Sequence, residues 1–305
     1  MILSEDLIRQ FERALIDSDE NILFSRTTFL DYHFDRFEDA SLIFETGKTL
    51  VYFPAAIDGL AIRSHPGATY GGLSLAGSYS PSLVLEAYRS IEEKFKNIGI
   101  EEIQIKLAPK GFKVVDTDIE AWALSSLGYQ VERIDIWNVL TPDHRPTSSQ
   151  FKRNLKKFQR FGALISTEWV YLNQFYELLC ANLYTRYQSQ PVHSLAELED
   201  LKKRFGERMQ LFVALDDNNN VLGGTIVFKL RQHILHSQYI AASDKGRGFS
   251  VIDGIFDHIT KELSSGQVFS FGGSLVGDNL NYNLYRHKLQ IGGEPVSQLF
   301  FRKML

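Results

Sequence analysis

The sequence predicts an α/β (α+β) protein of two similar tandem domains, each a mixed, mostly antiparallel sheet flanked by helices. Three observations carry this. Strand-like runs alternate with helical patterns along the chain. The same order of elements occurs twice, about 165 residues apart. Between the two copies the composition turns basic.

Apolar or alternating runs bounded by turn residues predict strands at 41–45, 49–56, 102–107, 130–140, 209–215, 221–230, 234–242 and 268–271. Leu83, Ala87, Ile91 and Phe95 fall at four-residue steps, which predicts a helix over 83–97, with Pro81 before it and Gly99 after it as start and stop signals. In the first copy a turn at 77–81 leads to that helix, the strand 102–107, a helix carrying 121–129 and the strand ending at Leu140. In the second, a turn at 244–248 leads to a helix at 251–263, the strand 268–271, a helix at 282–290 and a strand at 294–301. A short strand meander precedes each copy. At the junction, 141–162 holds six basic residues (Arg145, Lys152, Arg153, Lys156, Lys157, Arg160) and no acid after Asp143. The expected domains are therefore 1–145 and 146–305, the second opening with an amphipathic helix at 171–184.

With 305 residues, 44% hydrophobic and 23% charged, the chain buries a sizeable core, which excludes a disordered, collagen-like or coiled-coil protein. A net charge of -4 provides no global field for DNA or an anionic membrane, so any polyanion must meet a local patch. Cys180 is the single cysteine, which excludes an internal disulfide and any cysteine-based metal site and fits a reducing compartment. No apolar run reaches the roughly 18 residues of a membrane span, and the first residues carry no signal-peptide pattern. The expectation is a cytoplasmic protein without a metal, monomeric or homodimeric.

Several segments invite chemistry, each with a plain structural alternative. The segment 245–250 (Lys-Gly-Arg-Gly-Phe-Ser) precedes a helix, so Lys245, Gly246, Arg247 and Gly248 are candidates for holding a pyrophosphate on backbone amides. The alternative is a turn capped by Ser250. The segment 64–73 (Ser-His-Pro-Gly-Ala-Thr-Tyr-Gly-Gly-Leu) offers His65, Tyr70, Gly71 and Gly72 for close approach to a ligand, or forms a bulge ending the meander; His33 and Arg36 are possible neighbours. In the junction helix Phe151, Leu155 and Phe158 share a face, leaving the cations outward as a solvated surface or a phosphate dock. Regular pleating puts His236 and Tyr239 on opposite strand faces, which denies them a joint role unless a bulge intervenes.

The segments 151–158 (Phe-Lys-Arg-Asn-Leu-Lys-Lys-Phe), 183–186 (Leu-Tyr-Thr-Arg) with Pro191, Val192 and His193 following, 237–241 (Ser-Gln-Tyr-Ile-Ala) and 269–274 (Phe-Ser-Phe-Gly-Gly-Ser), followed by 284–288 (Leu-Tyr-Arg-His-Lys) and Ile291-Gly292-Gly293, stand in a telling order. In that order the chain resembles the FemAB-like branch of the GNAT acyltransferases, which carry two GNAT-type domains in one chain. Family members commonly have an aromatic directly before the lysine of the last motif, where this chain has His287.

The resemblance implies two tandem GNAT-like domains and transfer of an acyl or aminoacyl group to a primary amine, without a metal. Such transfer needs a deprotonated amine, a polarised donor carbonyl and a proton source for the leaving group. It implies acyl-CoA as donor and a small-molecule amine acceptor, such as a cell-envelope or polysaccharide precursor. Lys288 is the first catalytic candidate, as a cation beside the oxyanion or the donor phosphate; Tyr239 and Tyr285 are candidate proton donors and His236 a candidate base. Gly272 and Gly273 join the donor-side candidates, and Arg153, Tyr184 and Arg186 the substrate-side ones. The second domain is favoured for the donor, because Gly272, Gly273 and Lys288 have no counterparts in the first. Two alternatives stay open. One is an aminoacyl-tRNA-dependent ligase acting on a peptidoglycan-type precursor, with transfer RNA bound along 152–160; the other is a catalytically silent binding module.

Overall fold

The structure is a computed structural model that describes residues 5–16, 23, 27–30, 36–142 and 148–305. Two compact units emerge: 1–136 together with 296–305, and 137–295. The sequence expectation of a boundary at 145/146 falls outside the described residues, as do Arg145 and His33. The division by contacts lies earlier, inside the strand Gln130–Leu140, and the last ten residues return to the first unit.

The first unit opens with α1 (Glu5–Ile16) and α2 (Thr27–Leu30), followed by β1 (Glu38–Asp39), β2 (Leu42–Thr46), β3 (Thr49–Phe53), β4 (Ala55–Asp58), β5 (Ala61–Ser64) and β6 (Ser74–Ala76). Then come α3 (Pro81–Lys96), β7 (Glu102–Lys106), α4 (Thr117–Ser126) and β8 (Gln130–Leu140). The single strand expected at 49–56 is two strands, because Pro54 has no N–H to give a ladder and the chain changes sheets there. β3 joins β2 and β6 in a small antiparallel sheet, while β4 lies between β1 and β5 in another. In the latter, β5 runs parallel to β7, and the chain's final strand, Glu294–Met304, lies antiparallel on the far side of β7. α3 starts where Ser80 caps the amide of Leu83 and Pro81 takes the first turn, and it buries Val84, Ala87, Tyr88, Ile91 and Phe95 in the core.

The second unit contains α5 (Ser149–Phe161), β9 (Leu164–Ser166), α6 (Leu172–Tyr187), α7 (Leu195–Phe205), β10 (Met209–Leu215), β11 (Val221–Arg231) and β12 (Ile234–Ala242). It continues with α8 (Asp244–Gly248), α9 (Val251–Lys261), β13 (Val268–Gly273), β14 (Leu275–Val276), β15 (Asn279–Leu280) and α10 (Tyr282–Ile291), before the final strand, β16. Its sheet runs β9-β10-β11-β12-β13 and then residues 137–140 of β8, antiparallel except for the parallel pair β12/β13. Phe151 with Leu155 and Phe158 seats α5 on α9, and Val251, Ile255, Phe256 and Ile259 seat α9 on the sheet. α6 packs on β11 and β12 through Leu172, Phe175 and Leu179. Each unit is thus a mixed, mostly antiparallel sheet flanked by helices. Among the described residues no helix is long and apolar enough to cross a membrane.

Candidate functional site

β12 and β13 are hydrogen-bonded only over 234–236 and 268–270, after which β12 runs on to Ala242 without β13 beside it. A second irregularity sits at the same place: the ladder to β11 skips Gln238, so β12 bulges between Ser237 and Tyr239. The bulge that regular pleating lacked is therefore present. The Gln238 side chain lies within reach of both His236 and Tyr239.

Beside the free half of β12 lies a cavity of about 350 Å³. Ile240, Ala241 and Ala242 form one wall; Asn182 and Arg186 of α6, Arg247 of α8 and the first turn of α9 form others, and Asn154, Leu284 and His287 complete it. Arg247 is braced by Asn182 Oδ1, the Ala242 carbonyl and Asp244. Ser250, at the cap of α9, has a φ of 57° and its side chain caps nothing, contrary to the capping role expected of it. The first amides of α9 are thus left for another acceptor, and with two guanidiniums beside them the cavity favours an anionic group. Its lining also holds Asn154 and a hydrogen-bonding contact: His287 Nε2 lies 3.1 Å from Asp253 Oδ1, joining α10 to the first turn of α9. Asp253 is buried, whereas His287 is one-third exposed.

The structure brings only part of the expected set to this cavity. Arg247 and Arg186 line it; Lys245 does not, being held 3.1 Å from Asp216 and above the Phe161 ring. Gly246 is a packing glycine, since a Cβ there would run into the Leu222 carbonyl, and Gly248 faces open space. Arg153 and Tyr184 are exposed on α5 and α6, Arg153 donating to Gln150 2.7 Å away. Tyr285 is half-buried and lies outside the cavity wall.

Lys288 is buried at the end of β13, where its Nζ donates to the Gly272 carbonyl at 2.8 Å and to that of Gly273. Burial pulls its ammonium down to about 7. His236 is buried too, stacked on Trp137 with ring centroids 5.1 Å apart and 3.2 Å from Ser270 Oγ. Burial, aided by the nearby Lys288, pushes its pKa down to about 3. That corrects the expectation of a base here, because such an imidazole cannot keep a proton taken from an ammonium. Tyr239 Oη accepts the His193 amide at 3.1 Å and also contacts His193 Nδ1, while burial raises its pKa. It is tied into the core.

The first-unit segment is also corrected. His65 and Tyr70 are 3% and 2% exposed, too buried to meet an acceptor as the sequence suggested. His65 Nδ1 accepts the Gly67 amide, and Tyr70 packs edge-on to Phe112. The segment fills the place where β5 and β7 part after Arg63 and Gln104: Ser64 Oγ accepts Lys106 N at 2.8 Å, and Gly71 N donates to Lys106 O at 2.7 Å. Gly71 has no room for a Cβ, which would come 2.7 Å from that of Ser64. Gly72 has a φ of 80° and lies against a buried pair, Lys113 and Glu120, 3.3 Å apart. Glu120 Oε1 accepts the Leu73 amide and the Tyr88 hydroxyl. The bonds of Ser64, Gly71 and Glu120 make this segment part of the first unit's packing.

Asp253, His287, Asn182 and Gln238 were missed by sequence reasoning. His287 had a signal, since it replaces the aromatic of the resembled motif. Asp253 read as an ordinary first-turn acid. Among the described residues there is no cluster of three or more His, Cys, Asp or Glu side chains able to hold a metal.

By sequence, neither a protein-family model nor a curated protein matches the chain. By structure it is similar to FemX, at 12% identity and a TM-score of 0.70, over 100% of this chain and 97% of that one. It is also similar to L-PGS from Bacillus licheniformis, at 10% identity and a TM-score of 0.61, over 98% and 91% of the two chains. A tandem GNAT protein from the clavulanic acid biosynthesis pathway shares 12% identity with a TM-score of 0.51, over 99% and 95%. The chain has the FemAB-like double-GNAT fold.

Proposed function

We propose that the protein is a cytoplasmic N-acyltransferase of the GNAT type, which takes an acyl group from acyl-CoA in the second unit and transfers it to a primary amine of a small-molecule or cell-envelope precursor. The observation that carries this reading is the cavity beside the unpaired half of β12. It combines an apolar wall with Arg186, Arg247 and the uncapped amides of α9, a combination suited to an acyl thioester that ends in a pyrophosphate. The tandem-GNAT fold supports it. In this reading Lys288 is a positioning residue that fixes Gly272 and Gly273 at the end of β13.

The test is thermal unfolding with saturating coenzyme A or acetyl-CoA. A ligand at about 100 times its Kd adds roughly 2.7 kcal/mol, a readable rise in Tm. Arg247→Ala and Arg186→Ala should each shrink the rise. Absence of any rise in the wild type would refute the acyl-CoA donor.

A second reading, transfer from aminoacyl-tRNA, is favoured by one observation: Lys152, Arg153, Lys156, Lys157 and Arg160 are all exposed on α5, the helix whose Asn154 lines the cavity. Binding of transfer RNA that weakens steeply with salt and with charge reversal on α5 would support it.

A further inference from the structure

We infer that the first unit carries a small-molecule site of its own: the cavity at the fork of β5 and β7 takes a monocarboxylate with a compact apolar body, its carboxylate held by Lys106 Nζ and Ser64 Oγ. This site stands apart from the donor cavity and does not depend on the acyl-transfer reading. The cavity measures about 260 Å³, and all of its lining belongs to the first unit. It opens where β5 and β7 cease to pair after Arg63 and Gln104.

Two groups on its wall have more hydrogens to give than acceptors to receive them. An ammonium has three; among the described residues Lys106 Nζ gives one to the Ala68 carbonyl at 2.8 Å and forms no ion pair. Ser64 is buried, and its Oγ accepts the Lys106 amide at 2.8 Å, while its own hydrogen meets no acceptor among the described residues. A poorly hydrated ammonium without a counter-ion is costly, and burial pulls Lys106 down to about 8. At pH 7 it still carries its charge, so the fork presents a cation and a hydroxyl to whatever enters.

The surrounding charges select the ligand class. Arg63 is paired with Asp58 at 2.7 Å, Arg302 stands between Glu102 and Glu132, and Arg133 is paired with Asp135 at 2.9 Å. Arg133 and Asp135 act on Lys106 with opposite sign. Lys106 is thus the cation among these groups that lacks a partner, and it calls for a single negative charge; Glu132 on the wall repels a second. Phe300, Pro66 and Ile105 supply the apolar side, with the Arg133 guanidinium 3.9 Å from the centre of the Phe300 ring. The volume is below the roughly 300–1,000 Å³ of pockets for drug-sized ligands, which points to a compact acid.

The experiment titrates the full chain with benzoate, benzamide and phenyl phosphate, by calorimetry and by ¹³C NMR of lysine-labelled protein, the Lys106 signal being assigned by its loss in Lys106→Arg. Benzoate should move that signal saturably; benzamide, the same body without the charge, should not, and phenyl phosphate should bind more weakly than benzoate. Because the carboxylate binds the ammonium form, the benzoate Kd should stay flat from pH 6 to about 8 and then rise by up to about tenfold per unit. In Lys106→Arg, whose cation does not titrate in this range, the Kd should stay flat to pH 10. Ser64→Ala should raise the Kd at pH 7 by about 5- to 10-fold. Should Lys106→Arg fail to fold, the wild-type pH dependence and Ser64→Ala decide by themselves. A protein that does not bind benzoate, equal binding of benzamide, tighter binding of phenyl phosphate, or a Kd indifferent to pH or to Ser64→Ala would overturn the site.

Discussion

Lys288 Nζ lies 2.8 Å from the carbonyl oxygen of Gly272, so a side chain of α10 closes the end of β13. Gly272 has a φ of 73°, and the turn aims two successive carbonyls at one ammonium. The cost falls on the charge, since the group sits in a poorly hydrated place and its pKa drops to about 7.

A pH dependence of stability follows. The unfolded lysine keeps its proton up to about 10.4, whereas the folded one releases it from about 7. Between these values the unfolded chain binds more protons, so stability rises with pH by at most about 1.4 kcal/mol per unit from this group. Below about 7 the group gives no slope. Urea unfolding at several pH values should show wild type gaining on Lys288→Met between pH 7 and 10. Parallel curves would contradict it.

The buried pair under Gly72 predicts a different pattern. Lys113 and Glu120 are 1% and 0% exposed, and removing one partner strands the other. Lys113→Ala should cost about 3–5 kcal/mol in urea unfolding. The double change Lys113→Met with Glu120→Gln should recover much of that, leaving a smaller loss from the Leu73 and Tyr88 bonds. A double variant no more stable than the single one would show that hydrogen bonding outweighs charge there.

Tyr239→Phe separates packing from chemistry. Its hydroxyl serves His193, so the variant should lose about 1–3 kcal/mol of stability while kcat stays within about threefold. A large fall in kcat at unchanged stability would restore Tyr239 as a proton donor.

One donor should bind per chain. In the first unit the gap between the parallel strands β5 and β7 is stitched by Ser64, Gly71 and the Lys106 ammonium, which donates to the Ala68 carbonyl at 2.8 Å. Calorimetric titration with acetyl-CoA should give a stoichiometry near one; a value near two would put a second donor in the cavity of about 260 Å³ that Ser64, Gln104 and Lys106 line there.

Much of the fold was legible because periodicity survives in the longer elements. The helix expected at 83–97 is Pro81–Lys96, and that at 282–290 is Tyr282–Ile291. The short strands β5, β6 and β9 were illegible, since three or four residues carry no measurable alternation. Two of the cations named from the sequence, Arg247 beside a glycine-rich turn and Arg186 in a segment of the resembled motif, line the cavity. It was illegible at Asp253 and His287, which stand 34 residues apart and meet only after α9 and α10 have packed. Burial misled in the other direction. His65, Tyr70 and His236 have the chemistry of a site, but their exposure is settled by neighbours far along the chain.

The last strand has a consequence for how the chain is made. The second unit is continuous over 137–295, whereas the first must wait for 296–305 to emerge from the ribosome before β7 gains its second neighbour. Until then the row of amides and carbonyls along Glu102–Lys106 is an open edge, a template for pairing with another nascent chain. During synthesis the second unit can therefore close before the first, and a premature stop within the final strand would damage the earlier-made unit.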